Sequence, residues 1–459
     1  MKRKDIGSAV IDRVDYPNKG HFHIEETGER GIVKNTVPGQ KVLFRVFKNK
    51  NHCLHGHLLE VLEPSPLETR EQLCANFGRC GGCLYQTVPY EKQLEIKEEQ
   101  VQKLLQPVLE EDTVFDGIKA SPREFSYRNK MDYSFGNEEI DGPLTCGIHR
   151  IRSRYSVLDG STCVLAHEDL RKISAEIREY CAENNLPFYN KLKHEGYLRY
   201  LMMRRSETTG EILLVLAAST QMTHDFTPLA DRLQKLSLEG KIVGFFLADD
   251  DRYADALIPD ELHCLFGQDY FYEYILGLRF KITLFSFFQT NTKGAEVLYE
   301  TVRSYVRASS EKEKPVIYDL YCGTGTIAQM LAQEAEKVYG IEIIPEAVEA
   351  AKHNAEENQL TNCTFYAGDV FETLPEIPER PDYIILDPPR EGVHDKALKK
   401  IIDYGITSMV YVSCKASSLV TDMEFLKKNG WRIDRWALVD MFPGTQHVET
   451  VCLLSRKDK

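Results

Sequence analysis

From Pro315 onward the chain obeys one rule: a short apolar run, a turn, then a segment with helical spacing, over and over. Such alternation makes the strands parallel, because each crossover helix returns the chain to the same end of the sheet. It predicts an open α/β fold with ligands bound beyond the carboxyl ends of the strands. Val316-Ile317-Tyr318-Asp319-Leu320 is the first strand, and Tyr321-Cys322-Gly323-Thr324-Gly325-Thr326 turns into the first helix. Further strands are expected over 337–342, 363–367, 383–386 and 408–413, with two more over 431–441 and 448–455.

The strand ends carry residues suited to chemistry. Glycines in the first turn let backbone approach a ligand at a helix amino terminus. Glu342 closes the second strand about 20 residues past those glycines, a position suited to ribose hydroxyls. Gly368-Asp369 ends the third strand, Asp387-Pro388-Pro389-Arg390 follows the fourth, and Cys414-Lys415 follows the fifth. A lone Cys is more often a small buried hydrophobe than a nucleophile. A thiol at the ligand edge, with Lys415 beside it to favour the thiolate, is a better candidate. A nicotinamide-binding chain would show the longer G-x-G-x-x-G and has no need of D-P-P. The combination resembles the class I S-adenosylmethionine methyltransferase fold, a Rossmann-like seven-stranded α/β sheet.

Upstream the grammar changes. Residues 1–62 hold five strand-like runs, 7–14, 20–26, 30–34, 41–48 and 55–62, split by turns such as Val37-Pro38-Gly39-Gln40. This pattern suits a small OB-like barrel, a frame that often binds oligonucleotides. Pro64 and Pro66 mark a linker. Cys74-Ala75-Asn76-Phe77-Gly78-Arg79-Cys80-Gly81-Gly82-Cys83 then packs three thiols around a glycine-rich turn. That density exceeds ordinary core usage and points to zinc or an iron–sulphur cluster, either of which needs a fourth ligand. Cys163 is the best candidate, Cys53 and Cys146 are alternatives, and spacing alone does not choose the metal. A polar stretch over 90–110 is expected as a surface helix. Phe125-Ser126-Tyr127-Arg128-Asn129-Lys130 sets rings beside cations, as an RNA-stacking surface needs, though aromatics are also ordinary strand formers. Residues 166–184 read as a helix, and 197–204, 211–218, 242–248 and 270–283 as strands.

Composition narrows the partners. No apolar run is long enough for a membrane span, and the basic start lacks an apolar segment behind it, so a cytoplasmic protein is expected. Twelve Cys in 459 residues are then for metal, catalysis or burial rather than a disulphide framework. The net charge of −13 excludes a uniformly basic nucleic-acid binder. Residues 1–62 nevertheless carry eleven Lys and Arg against seven Asp and Glu, and His149-Arg150-Ile151-Arg152-Ser153-Arg154 is a second basic spot. Local patches govern phosphate contact more than global charge does.

Taken together, these features resemble one family over nearly the whole chain: the RNA uracil-C5 methyltransferases of the 23S rRNA type. The likeness rests on the TRAM-like start, the four-Cys pattern, Phe288-Gln289-Thr290-Asn291, Asp319-Leu320-Tyr321-Cys322-Gly323, Asp387-Pro388-Pro389-Arg390, Ser413-Cys414-Lys415 and His447-Val448-Glu449-Thr450. It implies a TRAM RNA-binding barrel over 1–63, a central domain over 64–284 carrying a cluster and an RNA surface, and a methyltransferase domain over 285–459. It implies a [4Fe-4S] cluster on Cys74, Cys80, Cys83 and Cys163. S-adenosylmethionine and the target base are expected near Gln289, Tyr321, Glu342 and Asp387, with Thr326 and Asp369 as further cofactor contacts. Cys414 is implied as nucleophile and Glu449 as base. The implied partner is 23S rRNA, free or in early assembly particles, in which one or two uridines become 5-methyluridine. A monomer that binds neither DNA nor membrane is expected. The alternative is the T-loop uridine of tRNA, whose enzymes generally lack the TRAM domain and the cluster.

Overall fold

The computed structural model describes every residue except Glu26, Asp255, Glu311 and 457–459, and the side chain of Phe371. The end of the strand expected over 20–26 therefore lies outside the described residues, as do the last three positions of the span 285–459.

The repeating segment folds as anticipated. Its seven strands are Val316–Leu320, Lys337–Glu342, Cys363–Ala367, Tyr383–Leu386, Ser408–Ser413, Trp431–Val439 and Glu449–Arg456. They lie in the order third, second, first, fourth, fifth, seventh, sixth. The first five are parallel, and the seventh runs antiparallel between the fifth and the sixth. Strands covered on both faces must be apolar throughout, which is why they read as continuous runs. One apolar layer contains Val302, Ile327, Val410 and Val451, and the opposite one Leu398, Tyr411, Leu419 and Trp436. The strand order reverses between the first and fourth strands, which opens a crevice at their carboxyl ends.

An eighth strand, Val114–Lys119, joins the outer edge parallel to Trp431–Val439. Part of the span 64–284 thus lies in the catalytic sheet. The helix before it, Tyr90–Leu105, is not the surface helix expected from its polarity. Gln93, Ile96, Lys97, Gln100, Val101 and Leu105 are all buried. Its polar residues are satisfied by partners on other elements, so polarity there does not mean solvent.

The N-terminal region forms one six-stranded sheet: Ile6–Val10, Arg13–Asp15, Lys19–Ile24, Glu29–Lys34, Lys41–Lys50 and Cys53–Glu63. The single strand expected over 7–14 breaks at Ile11, whose N–H bonds the Gln40 carbonyl at 2.9 Å. Phe22, Val33, Val42, Phe44 and Leu54 make the core of this sheet. Between the two in sequence, a seven-stranded sheet forms with helix Glu168–Glu183 packed on it. The strand expected over 270–283 is instead a hairpin, Tyr270–Ile275 and Leu278–Thr283, turning at Leu276 and Gly277, both with positive φ. Among the described residues no helix is long and apolar enough to cross a membrane.

Candidate active site

One end of the candidate site is built at three strand termini. Tyr321 leaves the first strand with φ +66°, a conformation that non-glycine residues hold only where the surroundings impose it. Gly325 follows at φ +73°, and a Cβ there would lie 2.7 Å from the Phe365 ring and 2.9 Å from Ala351. Only glycine fits that turn. Thr326 opens the helix Thr326–Leu331 and is buried. The Glu342 carboxylate accepts the Gly323 N–H at 3.1 Å and the Ile344 N–H at 3.0 Å. It therefore ties the glycine turn to the second strand and also bonds the start of the helix Pro345–Glu357. A carboxylate has about four lone-pair sites, so capacity remains for ribose hydroxyls. Asp369 stands at the exit of the third strand. Burial pushes the Tyr321 hydroxyl up, and Asp369, Asp422 and Glu342 push it the same way. The buried Tyr299 hydroxyl is pushed up by burial and by Asp387 and Asp319, with Gln289 opposing and Glu449 adding to the rise. The Gln289 carbonyl accepts from Asn129 Nδ2 at 3.0 Å, which anchors the segment to the middle sheet.

The second half of the site gathers on Cys414, half-buried just past the fifth strand. Its thiol is pushed up by burial, then by Glu449 and Asp387, while Arg390 opposes through charge and a hydrogen bond. The expected helper, Lys415, is exposed at the N-cap of helix Ala416–Lys428 and plays no part at the sulphur. Neighbouring side chains along an extended chain point to opposite sides, so adjacency in sequence separates these two residues. Arg390 is the cation there, and the Ser418 hydroxyl donates to its carbonyl at 2.7 Å. Burial and the nearby Asp387 raise the Glu449 carboxyl to about 8, with Arg390 opposing. Burial alone raises Asp387 to about 7. His447 is kept neutral, lowered to about 4 by burial and by Arg390, Lys97 and Arg128. The motifs D-P-P-R and H-V-E-T contained Arg390 and His447, but nothing in the sequence assigned them a place. Tyr299 carried no signal at all.

The loop that delivers Glu449 is clamped by a distant part of the chain. The Gly444 carbonyl accepts the N–H groups of Leu84 and Tyr85 at 2.7 and 3.0 Å. The Gly444 N–H donates to Gln93 Oε1 at 2.8 Å, and the Tyr127 hydroxyl donates to the Pro443 carbonyl at 3.0 Å. Lys97, 1% exposed, pairs with Asp440 at 2.7 Å and donates to the Phe442 carbonyl at 3.1 Å. Such a pair adds little net stability, but losing one partner strands a buried charge, so it enforces this loop geometry.

Beside the clamp, Cys74, Cys80, Cys83 and Cys163 line one apolar cavity together with Met131, Leu158 and Arg128. The two alternative thiols do not join them. Cys146 is buried next to Cys181, and Cys53 lies on the N-terminal sheet. Burial raises Cys80, Cys83 and Cys163, and each also feels the other thiols of the set. The Gly82 N–H points at the Cys80 sulphur at 3.2 Å, and the Ala166 N–H donates to the Cys163 backbone carbonyl at 3.2 Å.

Strand order, glycine turn and the acid ending the second strand define a class I S-adenosylmethionine methyltransferase fold, here with an additional N-terminal sheet. Residues 311–438 match the family described as a methyltransferase domain, and residues 89–367 match tRNA (uracil-5-)-methyltransferase. The chain belongs to the tRNA (uracil-5-)-methyltransferase family. It is 44% identical over 457 residues to an RNA methyltransferase of Clostridium acetobutylicum, covering 100% of this chain and 99% of that one. A Clostridium tetani RNA methyltransferase is 43% identical over 448 residues, covering 98% and 97% of the two chains. Among solved structures it is similar to the Pyrococcus abyssi tRNA (uracil-54, C5)-methyltransferase in complex with S-adenosyl-L-homocysteine. That likeness has a TM-score of 0.74 at 24% identity and covers 98% of this chain and 100% of that one. It is a likeness of fold. The methyl donor of this chain is S-adenosylmethionine.

Proposed function

We propose that the protein methylates C5 of uridine in 23S rRNA, with Cys414 as nucleophile and Glu449 as base. The observation that carries this reading is the strand register: Ser413 pairs with Thr450, which brings Cys414 and Glu449 together at the edge where Tyr321, Glu342, Asp369 and Asp387 leave the neighbouring parallel strands. Uracil C5 is a weak nucleophile. A thiolate adding to C6 pushes electrons onto O4 and makes C5 an enolate carbon, which divides one hard step into easier ones. S-adenosylmethionine supplies the electrophilic methyl group. Arg390 stabilises the Cys414 thiolate before addition. Asp387 and Gln289 orient the base, and Tyr321, Thr326, Glu342 and Asp369 hold the cofactor. Glu449 then takes the C5 proton, the electron pair of the C5–H bond forms the C5–C6 double bond, and the Cys414 sulphur leaves. The target base must leave its helix or loop to reach this centre. In this reading residues 1–63 are a TRAM-like RNA-binding unit, 64–284 the cluster-bearing region and 285–459 the catalytic domain.

Cys74, Cys80, Cys83 and Cys163 are the residues that would hold a [4Fe-4S] cluster, which serves structure because the reaction transfers no electrons. The donor set fits. Four thiols converge on one cavity, and burial that disfavours free thiolates is offset when they bind iron. Among the described residues, only Asp249, Glu261 and His263 place three ligand atoms within 4.8 Å of one another. No three of the four sulphurs therefore lie within 4.8 Å of one another, whereas thiolates on a single zinc ion stand about 3.8 Å apart. Anaerobic purification is expected to give brown protein with about four irons per chain. Stoichiometric zinc without iron would refute the cluster.

The motifs resemble the 23S rRNA type and support that substrate, whereas the description of the matched family names tRNA, and the tRNA (uracil-54, C5)-methyltransferase of similar fold spans 98% of this chain, N-terminal sheet included. Incubation with methyl-labelled S-adenosylmethionine and unmodified RNAs, followed by mass-spectrometric mapping, decides between them. We expect label at one or two uridines of 23S rRNA. Label in tRNA alone would sink the rRNA reading, and label on a base other than uracil would sink the chemistry.

A further inference from the structure

The loop that carries Asp387 and Arg390 is fastened to the helix that follows Cys414. Leu386 pairs with Tyr411 across the parallel fourth and fifth strands, so Asp387 leaves the sheet beside the strand that ends at Cys414. The chain then turns back on itself, and the Gly392 N–H donates to the Pro389 carbonyl at 2.9 Å. Helix Ala416–Lys428 meets this loop with two buried polar residues one turn apart, Ser418 and Asp422. The Ser418 hydroxyl donates to the Arg390 carbonyl at 2.7 Å. Asp422 Oδ2 accepts the Val393 N–H at 2.9 Å, and also the hydroxyl of Tyr411, a fifth-strand residue with no exposed surface. Gly392, at φ +80°, passes so close that a Cβ there would lie 2.8 Å from the same oxygen.

Asp422 thus joins three segments: its own helix, the fifth strand and the far end of the loop. Ser418 grips the same loop in its middle. Cys414 sits where that strand turns into that helix. The turn that aims the sulphur and the loop beside it are therefore parts of one hydrogen-bonded unit. A buried carboxylate is costly unless its bonds are made, so a satisfied one fixes a single arrangement.

We propose that Ser418 and Asp422 are positioning residues of the methyl-transfer centre, holding the D-P-P-R loop in place against the Cys414 turn. This inference rests on Cys414 being the nucleophile. A loop that slips moves Asp387 and Arg390 relative to the sulphur. Such misplacement loses rate without loss of RNA affinity, because orientation and affinity are separate contributions.

Ser418→Ala removes the bond to the Arg390 carbonyl and little else. With 5-fluorouridine RNA and S-adenosylmethionine at saturation, single-turnover adduct formation should slow by about five- to tenfold, with RNA Kd and Tm near wild type. Ser418→Thr keeps the hydroxyl and should restore most of the rate. Asp422→Ala should slow the same step further, and Asp422→Asn, whose amide oxygen can accept both donors, should recover it. Wild-type adduct rates in both Ala variants, a Thr variant as slow as Ser418→Ala, or losses confined to RNA Kd would overturn the positioning role. Peptide mapping separates this from the reading beneath it. A wild-type adduct on another sulphur defeats the assignment of Cys414 and this inference with it, whereas a Cys414 adduct formed at the wild-type rate in both Ala variants defeats only Ser418 and Asp422.

Discussion

Cys414→Ala is expected to abolish methyl transfer, a fall of about 10⁴-fold or more, and to abolish the covalent trap with 5-fluorouridine RNA. Both losses follow from one atom, because no other sulphur is placed to replace it. Cys322 sits at the glycine turn. Burial, Asp319 and Glu342 push its thiol well up, so it stays protonated and inert. Cys414 is half-buried, so trimming it to Ala should leave the Tm within a few degrees. The measurement is gel-shift and peptide mapping of the fluorinated adduct alongside turnover. A trap that survives in the Ala variant would show that another thiol attacks.

Glu449→Gln is expected to have the opposite signature at the adduct. Addition and methylation need no C5 base, whereas release does. The variant should therefore accumulate a methylated RNA–protein conjugate on ordinary RNA, while turnover falls by about 10³-fold. Wild-type enzyme supplies a pH test of the same step. With its carboxyl raised to about 8, Glu449 is mostly protonated at neutral pH, so adduct resolution should quicken as pH rises to about 8 and level off above. The Gln variant should lose that slope. The sign for stability is the reverse. The fold holds a proton that the unfolded chain releases near 4.5, so the contribution of Glu449 is complete below that pH and is lost as pH climbs toward 8. Rapid adduct release by the Gln variant would remove Glu449 from the mechanism.

The catalytic sheet was legible because parallel strands buried on both faces leave an unbroken apolar run, and each ended in Gly, Asp, Glu or Cys. Four spaced thiols were legible for a similar reason, since few other uses need such density. What the sequence concealed was set by partners far away. Val114–Lys119 carries Gly117 and an exposed Val114, and only the edge of the distant Trp431–Val439 strand makes it a strand. Helix Tyr90–Leu105 looked solvated because half of its buried residues are Gln93, Lys97 and Gln100, whose partners are Asn18, Tyr85, Val88, Glu124 and the loop 440–444. The hairpin at Leu276-Gly277 lacked the usual Asn-Gly or Asp-Gly cue for two positive φ angles. Lys415 illustrates the converse error, in which adjacency in sequence stood in for proximity in space.

The clamp on the Glu449 loop also dictates when the molecule can become active. Lys97 and Asp440 are 343 residues apart, and Gln93 and Gly444 are 351 apart. Contacts of such range form slowly, because the chain between must be ordered before they reward it. On the ribosome, residues 84–97 emerge long before their partners and must wait with a lysine that has no counter-charge. Completion of the base-bearing loop, burial of Lys97 and seating of the edge strand then fall in one late event. A nascent chain can fold its N-terminal and middle sheets early, yet it completes the catalytic sheet and the Glu449 loop last, so a partly made copy lacks an assembled site.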